Sequence, residues 1–244
     1  MHICSMSFDE AVCTLLDWVE ERGQSRFVVT PNVNHLVLYQ KSEAFKQAYG
    51  KASLVLPDGR YVILISRALK QPLPGPINGS DLVPALMGAS EKRGGLTVFL
   101  LGAMPGVADT AAINIQAGWP HVDVVGTYSP PIGFEDDATE VQNIISQINR
   151  FDPDVLIVGI SPPKQEIWVS EHVAEIQATV IICAGATIDF IANAKPRAPL
   201  WMQRSGLEWV FRTLAEPRRL IPRYLNDGIS VVGLLYTELR KKGS

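Results

Sequence analysis

Asp58 is the residue whose type and position most directly indicate chemistry in this chain. It follows an apolar run at 54–56 and stands in a turn between Pro57 and Gly59. Proline and glycine favour turns for conformational reasons, so turn formation is one explanation for all three residues. In open α/β sheets, however, ligands bind at the carboxyl ends of strands, where this turn would place a carboxylate. The position therefore suggests a general base as the second explanation.

Two more polar side chains, those of Thr30 and Asn32, flank Pro31 at the end of another apolar run. The proline disfavours a helix until the loop has turned. Asn34 is the residue we expect to cap the helix that follows, which is a structural role. Thr30 and Asn32 are less easily explained as caps, so both are candidate site residues.

Small residues at two other predicted strand ends indicate close approach of a ligand to the backbone. Gly102 and Pro105 belong to a turn before a helix, whose free N–H groups suit a phosphate. The full G-x-G-x-x-G spacing of a dinucleotide site is absent there. Gly185 and Thr187 lie in a second small-residue segment, in which Asp189 either caps or orients the loop.

Lys164, Gln165 and Glu166 form a polar triplet after Pro162 and Pro163. They stand where a helix is predicted to begin, and a carboxylate at that end suits the helix dipole. A solvated helix start is one interpretation and a ligand contact surface is the other. The four histidines are scattered, and no His/Cys pair has zinc spacing, so we expect no metal site.

The last fifty residues contain arginines that could bind a phosphorylated ligand. Arg212, Arg219 and Arg223 could share one helix-sized patch, and guanidinium groups match diphosphate oxygens bidentately. Aromatic residues interleave with them, at Trp201, Trp209, Phe211 and Tyr224. Those aromatic residues indicate either an interfacial amphipathic segment or ordinary core packing.

The predicted elements bring these residues to one edge of a sheet. Strands are predicted at 26–30, 53–56, 97–101, 121–125, 154–159 and 179–184. Helices are predicted at 8–21, 34–49, 80–93, 105–117, 136–150 and 164–173, with further helical segments at 200–214, 216–225 and 228–241. Apolar strands that alternate with helices predict an α/β, Rossmann-like fold whose mainly parallel sheet has helices on both faces.

The charge distribution divides the chain into two predicted regions. Residues 195–244 carry ten Lys/Arg and four Asp/Glu, a balance of +6, although the whole chain has a net charge of −3. We predict an α/β catalytic core at 1–194 and a basic, amphipathic helical appendage at 195–244 that binds an anionic membrane surface or a phosphorylated substrate. Packing of this appendage on its own acidic core is the alternative. Three unpaired cysteines and a start that is not typical of a signal peptide predict a cytoplasmic protein.

Several short motifs occur together in a specific order. They are Thr-Pro-Asn at 30–32, Pro-Asp-Gly at 57–59, Gly-Ser-Asp at 79–81, Pro-Lys-Gln-Glu at 163–166 and Leu-Glu-Trp followed by Arg and Glu-Pro-Arg-Arg at 207–219. In this order they resemble the WecG/TagA/CpsF family of bacterial glycosyltransferases (glycosyltransferase family 26) over nearly the whole chain. The loop at 128–135 is more similar to exopolysaccharide relatives than to teichoic-acid ones.

The resemblance implies an activity and its partners. It implies an inverting transferase that moves a hexose-type sugar from a UDP-sugar to a polyprenyl-diphosphate-linked sugar, with neither a DxD-bound metal nor another cofactor. It also implies a peripheral position on the inner face of the cell membrane and a role in cell-surface polysaccharide synthesis. We expect no nucleic-acid partner, and the sequence leaves the oligomeric state open.

The resemblance also assigns roles to individual residues. Asp58 would be the general base, with Thr30, Asn32 and Gln165 nearby in the pocket. The appendage would supply Arg212 and Arg219 to the donor diphosphate. Pro222 stands where many relatives carry a basic residue, which passes that role to Arg223. The other substrate-binding candidates are Gly102, Pro105, Lys164, Gly185 and Thr187.

Two other functions remain possible from the residues alone. One is a nucleotide-cofactor oxidoreductase on a similar sheet, which would require a glycine fingerprint and an acidic ribose contact after its first strand. Here the first predicted strand leads instead into Thr-Pro-Asn. The other is a non-enzymatic, membrane-tethered binding module.

Overall fold

The structure, a computed structural model, contains one sheet of six parallel strands in the order β2-β1-β6-β5-β3-β4. The strands are β1 (Arg26–Val29), β2 (Leu54–Val55), β3 (Leu96–Gly102), β4 (Val122–Tyr128), β5 (Val155–Gly159) and β6 (Val180–Cys183). Residues 1–242 are described, with the backbone alone at 204, 219, 229, 232 and 234–242. All six predicted strands are confirmed within a few residues.

Twelve α-helices connect and extend the strands in the described part of the chain. They are α1 (Phe8–Glu21), α2 (Val33–Lys41), α3 (Glu43–Lys51), α4 (Arg60–Ala68), α5 (Gly79–Ser90), α6 (Val107–Gly118), α7 (Ala138–Phe151), α8 (Lys164–His172), α9 (Thr187–Ile191), α10 (Leu200–Ser205), α11 (Glu208–Ala215) and α12 (Pro217–Lys242). Short 3₁₀ turns follow α5 and precede α7.

Two apolar layers cover the sheet, because neighbouring side chains along each strand point to opposite faces. Val28 and Ile157 pack with α1, α5, α6 and α9 on one face. Phe27 and Val158 pack with α3, α7 and α8 on the other face. The central strands β5 and β6 are therefore apolar throughout, and the α/β, Rossmann-like fold predicted from the sequence is confirmed.

Several helical predictions differ from the structure. The segment predicted as one helix at 200–214 is divided into α10 and α11 at Gly206, the segments predicted at 216–225 and 228–241 form the single helix α12, and the short helix α9 was not predicted. The segment predicted as one helix at 34–49 is two helices, because Ser42 ends α2 and its Oγ accepts a hydrogen bond from the Phe45 N–H as the N-cap of α3. Helix α4 was not predicted at all. Its sequence, RYVILISRA, is rich in residues with β propensity, yet it buries Val62, Ile63 and Ser66 on one helical face.

The basic C-terminal segment is helical, as predicted, and it packs against the rest of the protein. Leu220 of α12 is buried, and Asp227 of the same helix contacts Asn34 of α2. Arg197, in the segment before α10, pairs with Asp81 of α5 at 2.5 Å. Within the described residues, no helix combines the length and hydropathy that a membrane-spanning segment needs.

Candidate active site

A cleft with a volume of about 600 Å³ lies at the carboxyl edge of the sheet. Residues that follow β1, β2, β5 and β6 line its base, and helices α4, α11 and α12 contribute to its walls. Parallel strands place their carboxyl ends at the same edge, which is why residues far apart in sequence meet here. Among the predicted site residues, Thr30, Asn32, Asp58, Gln165, Gly185, Arg212 and Arg223 line this cleft.

Asp58 lies in the cleft, in the turn between β2 and α4. Its N–H donates to the Pro31 carbonyl at 2.9 Å, which fixes the turn against the end of β1. Gly59 has φ of +86°, a conformation that favours glycine, and its N–H donates to the Asn78 side chain at 2.8 Å. The turn is therefore held from both sides, and turn formation and a chemical role for Asp58 are compatible.

The surroundings of Asp58 change its proton affinity. Burial of the carboxyl group raises the pKa of Asp58 to about 6. The charge of His35 opposes this rise, and that of Arg212 opposes it less strongly. The Glu208 carboxylate reinforces it. A carboxylate with this pKa is largely ionised at neutral pH and still basic enough to accept a proton, as a general base requires.

Asn32 is the N-cap of α2, so the expectation that Asn34 would fill this role is wrong. The Oδ1 atom of Asn32 accepts from the Asn34 N–H at 3.1 Å, and its Nδ2 donates to Oδ2 of Asp58 at 3.5 Å. Thr30 is buried, and its hydroxyl donates to the Cys183 carbonyl at 3.4 Å. Asn32 thus combines a structural role with a direct contact to Asp58.

A buried polar cluster behind Asp58 was missed from the sequence. His35 and Glu166 are 5% and 1% exposed, and Nε2 of His35 lies 3.2 Å from Oε1 of Glu166. Gln165 donates to the same Glu166 oxygen at 2.7 Å. The two partners are 131 positions apart, so no local pattern pairs them. The available signal in the sequence is the Gln-Glu pair at the predicted start of a helix, which fits both a solvated helix start and a ligand contact surface.

The C-terminal helices complete the cleft. Trp209 and Arg212 of α11, with Arg223 and Tyr224 of α12, line it, and the two aromatic rings meet edge to face at 6.0 Å. These two aromatic residues therefore pack against each other in the cleft lining, while Trp209 is still 40% exposed. The side chain of Arg219 lies outside the described residues, so its predicted role stays a prediction.

Four predicted binding residues are not in the lining of this cleft. Gly102 approaches Gly159 so closely that a Cβ on it would lie 2.6 Å from the Gly159 carbonyl, and Pro105 follows in the same turn. Lys164 pairs with Glu135. The Thr187 hydroxyl donates to the Ala184 carbonyl at 2.7 Å and is 1% exposed.

Asp189, which was expected to cap or orient its loop, pairs with Lys195 at 3.1 Å. Both residues line the cleft. Among the described side chains, no group of three or more His, Cys, Asp or Glu residues is arranged to hold a metal ion.

Comparison with known proteins agrees with the family resemblance that the motif order indicates. Residues 1–244 match the model of the family described as "Glycosyl transferase WecG/TagA/CpsF family". Similar relatives include an "N-acetylglucosaminyldiphosphoundecaprenol N-acetyl-beta-D-mannosaminyltransferase" of Staphylococcus aureus strain NCTC 8325 / PS 47, with 30% identity over 89% of this chain and 85% of the relative. A protein of the same name from strain MRSA252 is 29% identical over the same shares. The chain therefore belongs to the WecG/TagA/CpsF family of glycosyltransferases.

Proposed function

We propose that this protein is an inverting glycosyltransferase that moves a sugar from a UDP-sugar to a polyprenyl-diphosphate-linked sugar. The observation that carries the proposal is the position of Asp58, a carboxylate with a raised pKa, in the same cleft as Arg212 and Arg223. A base and a cationic site for a leaving diphosphate are the two groups that such a transfer requires. Family membership favours this activity over an oxidoreductase or a binding module.

The reaction is a single displacement. The acceptor hydroxyl oxygen attacks the anomeric carbon of the donor while the bond from that carbon to the diphosphate oxygen breaks. The hydroxyl proton passes to a carboxylate oxygen of Asp58, and the electron pair of the broken bond stays on the departing UDP. Arg212 and Arg223 stabilise the charge that develops on the diphosphate. Neither a metal nor another cofactor is included in this proposal.

We assign the donor to the wall formed by α11 and α12. Arg212, Arg223 and Tyr224 line this wall, and guanidinium groups suit a diphosphate better than a single ammonium does. Arg219 would add a third guanidinium, as the sequence predicts. Gln165 and Gly185 lie at the base of the cleft, where they would contact the transferred sugar.

The wall formed by α4 suits the acceptor. Arg60, Leu64 and Arg67 line the cleft, and their spacing places them on one helical face. Tyr61 and Leu64 are 45% and 47% exposed, so the wall offers apolar surface beside positive charge. A polyprenyl diphosphate has both characters, an anionic head and an apolar chain. The names of the Staphylococcus aureus relatives include the same kind of acceptor, N-acetylglucosaminyldiphosphoundecaprenol.

A lipid-linked acceptor requires the enzyme to work at a membrane surface, and the C-terminal helices suit that location. Leu200, Trp201, Leu214 and Leu225 are each more than 60% exposed in this basic segment. Exposed apolar side chains and basic residues together favour binding to an anionic bilayer surface. We therefore propose a peripheral position on the inner face of the cell membrane, with residues 195–244 as the membrane-associating region.

A transfer assay with product mass analysis tests the proposal. The protein would be incubated with a panel of UDP-sugars, including UDP-N-acetylmannosamine, and a polyprenyl-diphosphate-linked N-acetylglucosamine in detergent or vesicles. We expect one added sugar on the lipid acceptor, release of UDP, and loss of turnover in Asp58→Asn with retained donor binding. Wild-type protein without transfer activity on every donor would contradict the proposal, and the anomeric configuration of the product would test inversion.

A further inference from the structure

A continuous series of polar contacts connects helix α8 to Asp58. Oε1 of Glu166 lies 3.2 Å from Nε2 of His35, and Nδ1 of His35 lies 2.8 Å from Oδ1 of Asn32. Nδ2 of Asn32 then reaches the Asp58 carboxylate at 3.5 Å. Because Glu166 and His35 are buried, these contacts are shielded from water and more strongly coupled than they would be at the surface.

The hydrogen-bond network fixes the orientation of the Asn32 amide. Its Oδ1 atom caps α2 by accepting from the Asn34 N–H at 3.1 Å. Rotation of the amide by half a turn would set two donors against each other at the cap and an oxygen against the Asp58 carboxylate. The amide N–H group of Asn32 is therefore the part that faces Asp58.

The same orientation gives the His35 ring an acceptor. When Nδ1 carries a proton it donates to Oδ1 of Asn32 at 2.8 Å, and when it does not it accepts from the Asn32 backbone N–H at 3.3 Å. Nε2 faces a carboxyl oxygen of Glu166 at 3.2 Å, so a proton lies between these two groups in either case. A buried carboxylate beside an imidazole favours the doubly protonated, charged ring. The charge of that ring lowers the pKa of Asp58 from behind Asn32.

The neighbouring groups leave the charge of this pair in place. Near Glu166, burial and, to a smaller extent, the Glu166 carboxylate raise the pKa of the Cys183 thiol and of the Tyr49 phenol well above their ordinary values. Both groups therefore stay protonated. On the cleft side, Glu208 and Arg212 of α11 face Asp58 with opposite charges. His35 is the larger of the two positive influences on Asp58.

Glu166 also orients Gln165. The Gln165 Nε2 donates to Glu166 at 2.7 Å, so its carbonyl oxygen faces away from that carboxyl group and has no hydrogen-bond partner among the described residues. Gln165 lines the cleft and is 2% exposed. One buried carboxylate thus sets the direction of two side chains, one beside the proposed base and one in the cleft lining.

We propose that Glu166 and His35 are positioning residues for Asp58: Glu166 orients and charges the His35 ring, and His35, through Asn32, fixes the Asp58 carboxylate and stabilises its negative charge. This inference rests on the proposed function, in which Asp58 is the base. It gives the Glu of the Pro-Lys-Gln-Glu motif a task that does not require contact with substrate.

The test is the pH profile of turnover in Glu166→Gln and His35→Gln. Both variants keep a side chain that can form hydrogen bonds, but neither keeps the charge. Without a charged ring behind it, Asp58 should bind its proton more tightly, and the acidic limb of kcat should move to higher pH. A shift of one pH unit would lower kcat about tenfold on the acidic side and leave it nearly unchanged well above the midpoint. The double variant should show the same shift as either single variant, because both act through one pair.

The matched control is His172, the last residue of α8, whose Nδ1 lies 2.8 Å from Oε1 of Glu175. Neither residue of this pair lines the cleft. His172→Gln should leave the midpoint unchanged. If the buried variants do not fold, as judged by circular dichroism, Asn32→Ser takes their place, since serine preserves the helix cap but removes the amide donor to Asp58. It should give the same upward shift.

Two outcomes would overturn the inference in different ways. The first outcome is an inactive Asp58→Asn together with Glu166→Gln and His35→Gln variants that lose kcat equally at every pH, with an unmoved midpoint. This outcome would refute the positioning role alone. Full turnover by Asp58→Asn would refute the general base itself, and the positioning role with it.

Discussion

Asn34 and Asp227 join the C-terminal helix to the catalytic edge of the sheet. Nδ2 of Asn34 donates to Oδ1 of Asp227 at 3.1 Å, and Asp227 is 5% exposed. Asn34 lies two residues after Asn32, which contacts Asp58. The position of α12, and of the arginine that it contributes to the cleft, is therefore coupled to α2, whose N-cap residue Asn32 contacts the proposed base.

An exchange of partners tests this contact. Asn34→Asp should place two carboxylates together in a buried position, weaken docking of α12 and lower kcat about tenfold, since an unpaired buried polar group costs about 1–3 kcal/mol. Combining it with Asp227→Asn restores one amide and one carboxylate, and should recover most of the turnover. Trypsin cleavage within 195–244 would report docking independently, and a combined variant no better than Asn34→Asp would contradict the role of this contact.

The raised pKa of Asp58 predicts a pH dependence for the wild-type enzyme. The base works only when ionised, so turnover should be low below the pKa and should rise with pH through a midpoint of about 6. The measurement is kcat between pH 5 and pH 8, at saturating donor and acceptor, in buffers of constant ionic strength. Turnover that stays constant down to pH 5, as expected for the ordinary aspartate pKa of about 3.9, would show that burial does not perturb this group in solution.

The same shift predicts that Asp58 destabilises the protein at neutral pH. Its folded-state pKa of about 6 lies above the unfolded value, so folding disfavours the ionised form. This penalty is absent in strong acid, grows as the pH rises through the interval between the two values, and is complete above the folded pKa. Asp58→Asn should therefore have a free energy of unfolding at pH 7.5 that is higher by an amount on the order of 3 kcal/mol, measured by urea denaturation, while it loses turnover. Equal stability at this pH would contradict the burial argument.

The sheet and much of the cleft could be predicted because their signals are local. Each strand is a short, mainly apolar run, and parallel strands bring their carboxyl ends together, so the sequence predicts that Asp58, Thr30 and Asn32 lie at one edge of the sheet. The buried pair of His35 and Glu166 could not be predicted in this way, since it forms between α2 and α8 only after the sheet is assembled. Helix α4 was missed because its β-branched residues follow tertiary packing more than local preference.

Arg212 should contribute to binding of the diphosphate and to stabilisation of its developing charge. Arg212→Ala is expected to lower kcat/KM for the UDP-sugar about 100-fold, the scale at which one transition-state charge contact contributes. Arg212→Lys should recover only part of this loss, because an ammonium group cannot make the bidentate contact. Arg218, which is exposed and outside the cleft lining, provides the control. Equal losses in Arg212→Ala and Arg218→Ala would indicate a general effect of charge rather than a diphosphate site.

The assignment of α4 to the acceptor predicts a separation of the two substrates. Arg67→Ala and Leu64→Ser should raise KM for the polyprenyl-diphosphate-linked sugar, by about tenfold each, and leave KM for the UDP-sugar nearly unchanged. The Arg67 change removes a contact to the lipid diphosphate, whereas the Leu64 change removes apolar surface, where burial of a Leu side chain contributes about 1.5–3 kcal/mol.

Two acceptors that differ in their lipid separate these contributions. With a short, water-soluble alkyl diphosphate sugar, Leu64→Ser should behave as the wild type, because no long apolar chain then passes over α4, whereas Arg67→Ala should remain impaired. Ile113→Ser is the matched control, since Ile113 is 70% exposed on α6 and belongs neither to the cleft lining nor to the C-terminal region. A rise in KM for the UDP-sugar in the α4 variants would place the donor, and not the acceptor, against this helix. The leaving diphosphate would then be stabilised by α4 and not by α11 and α12.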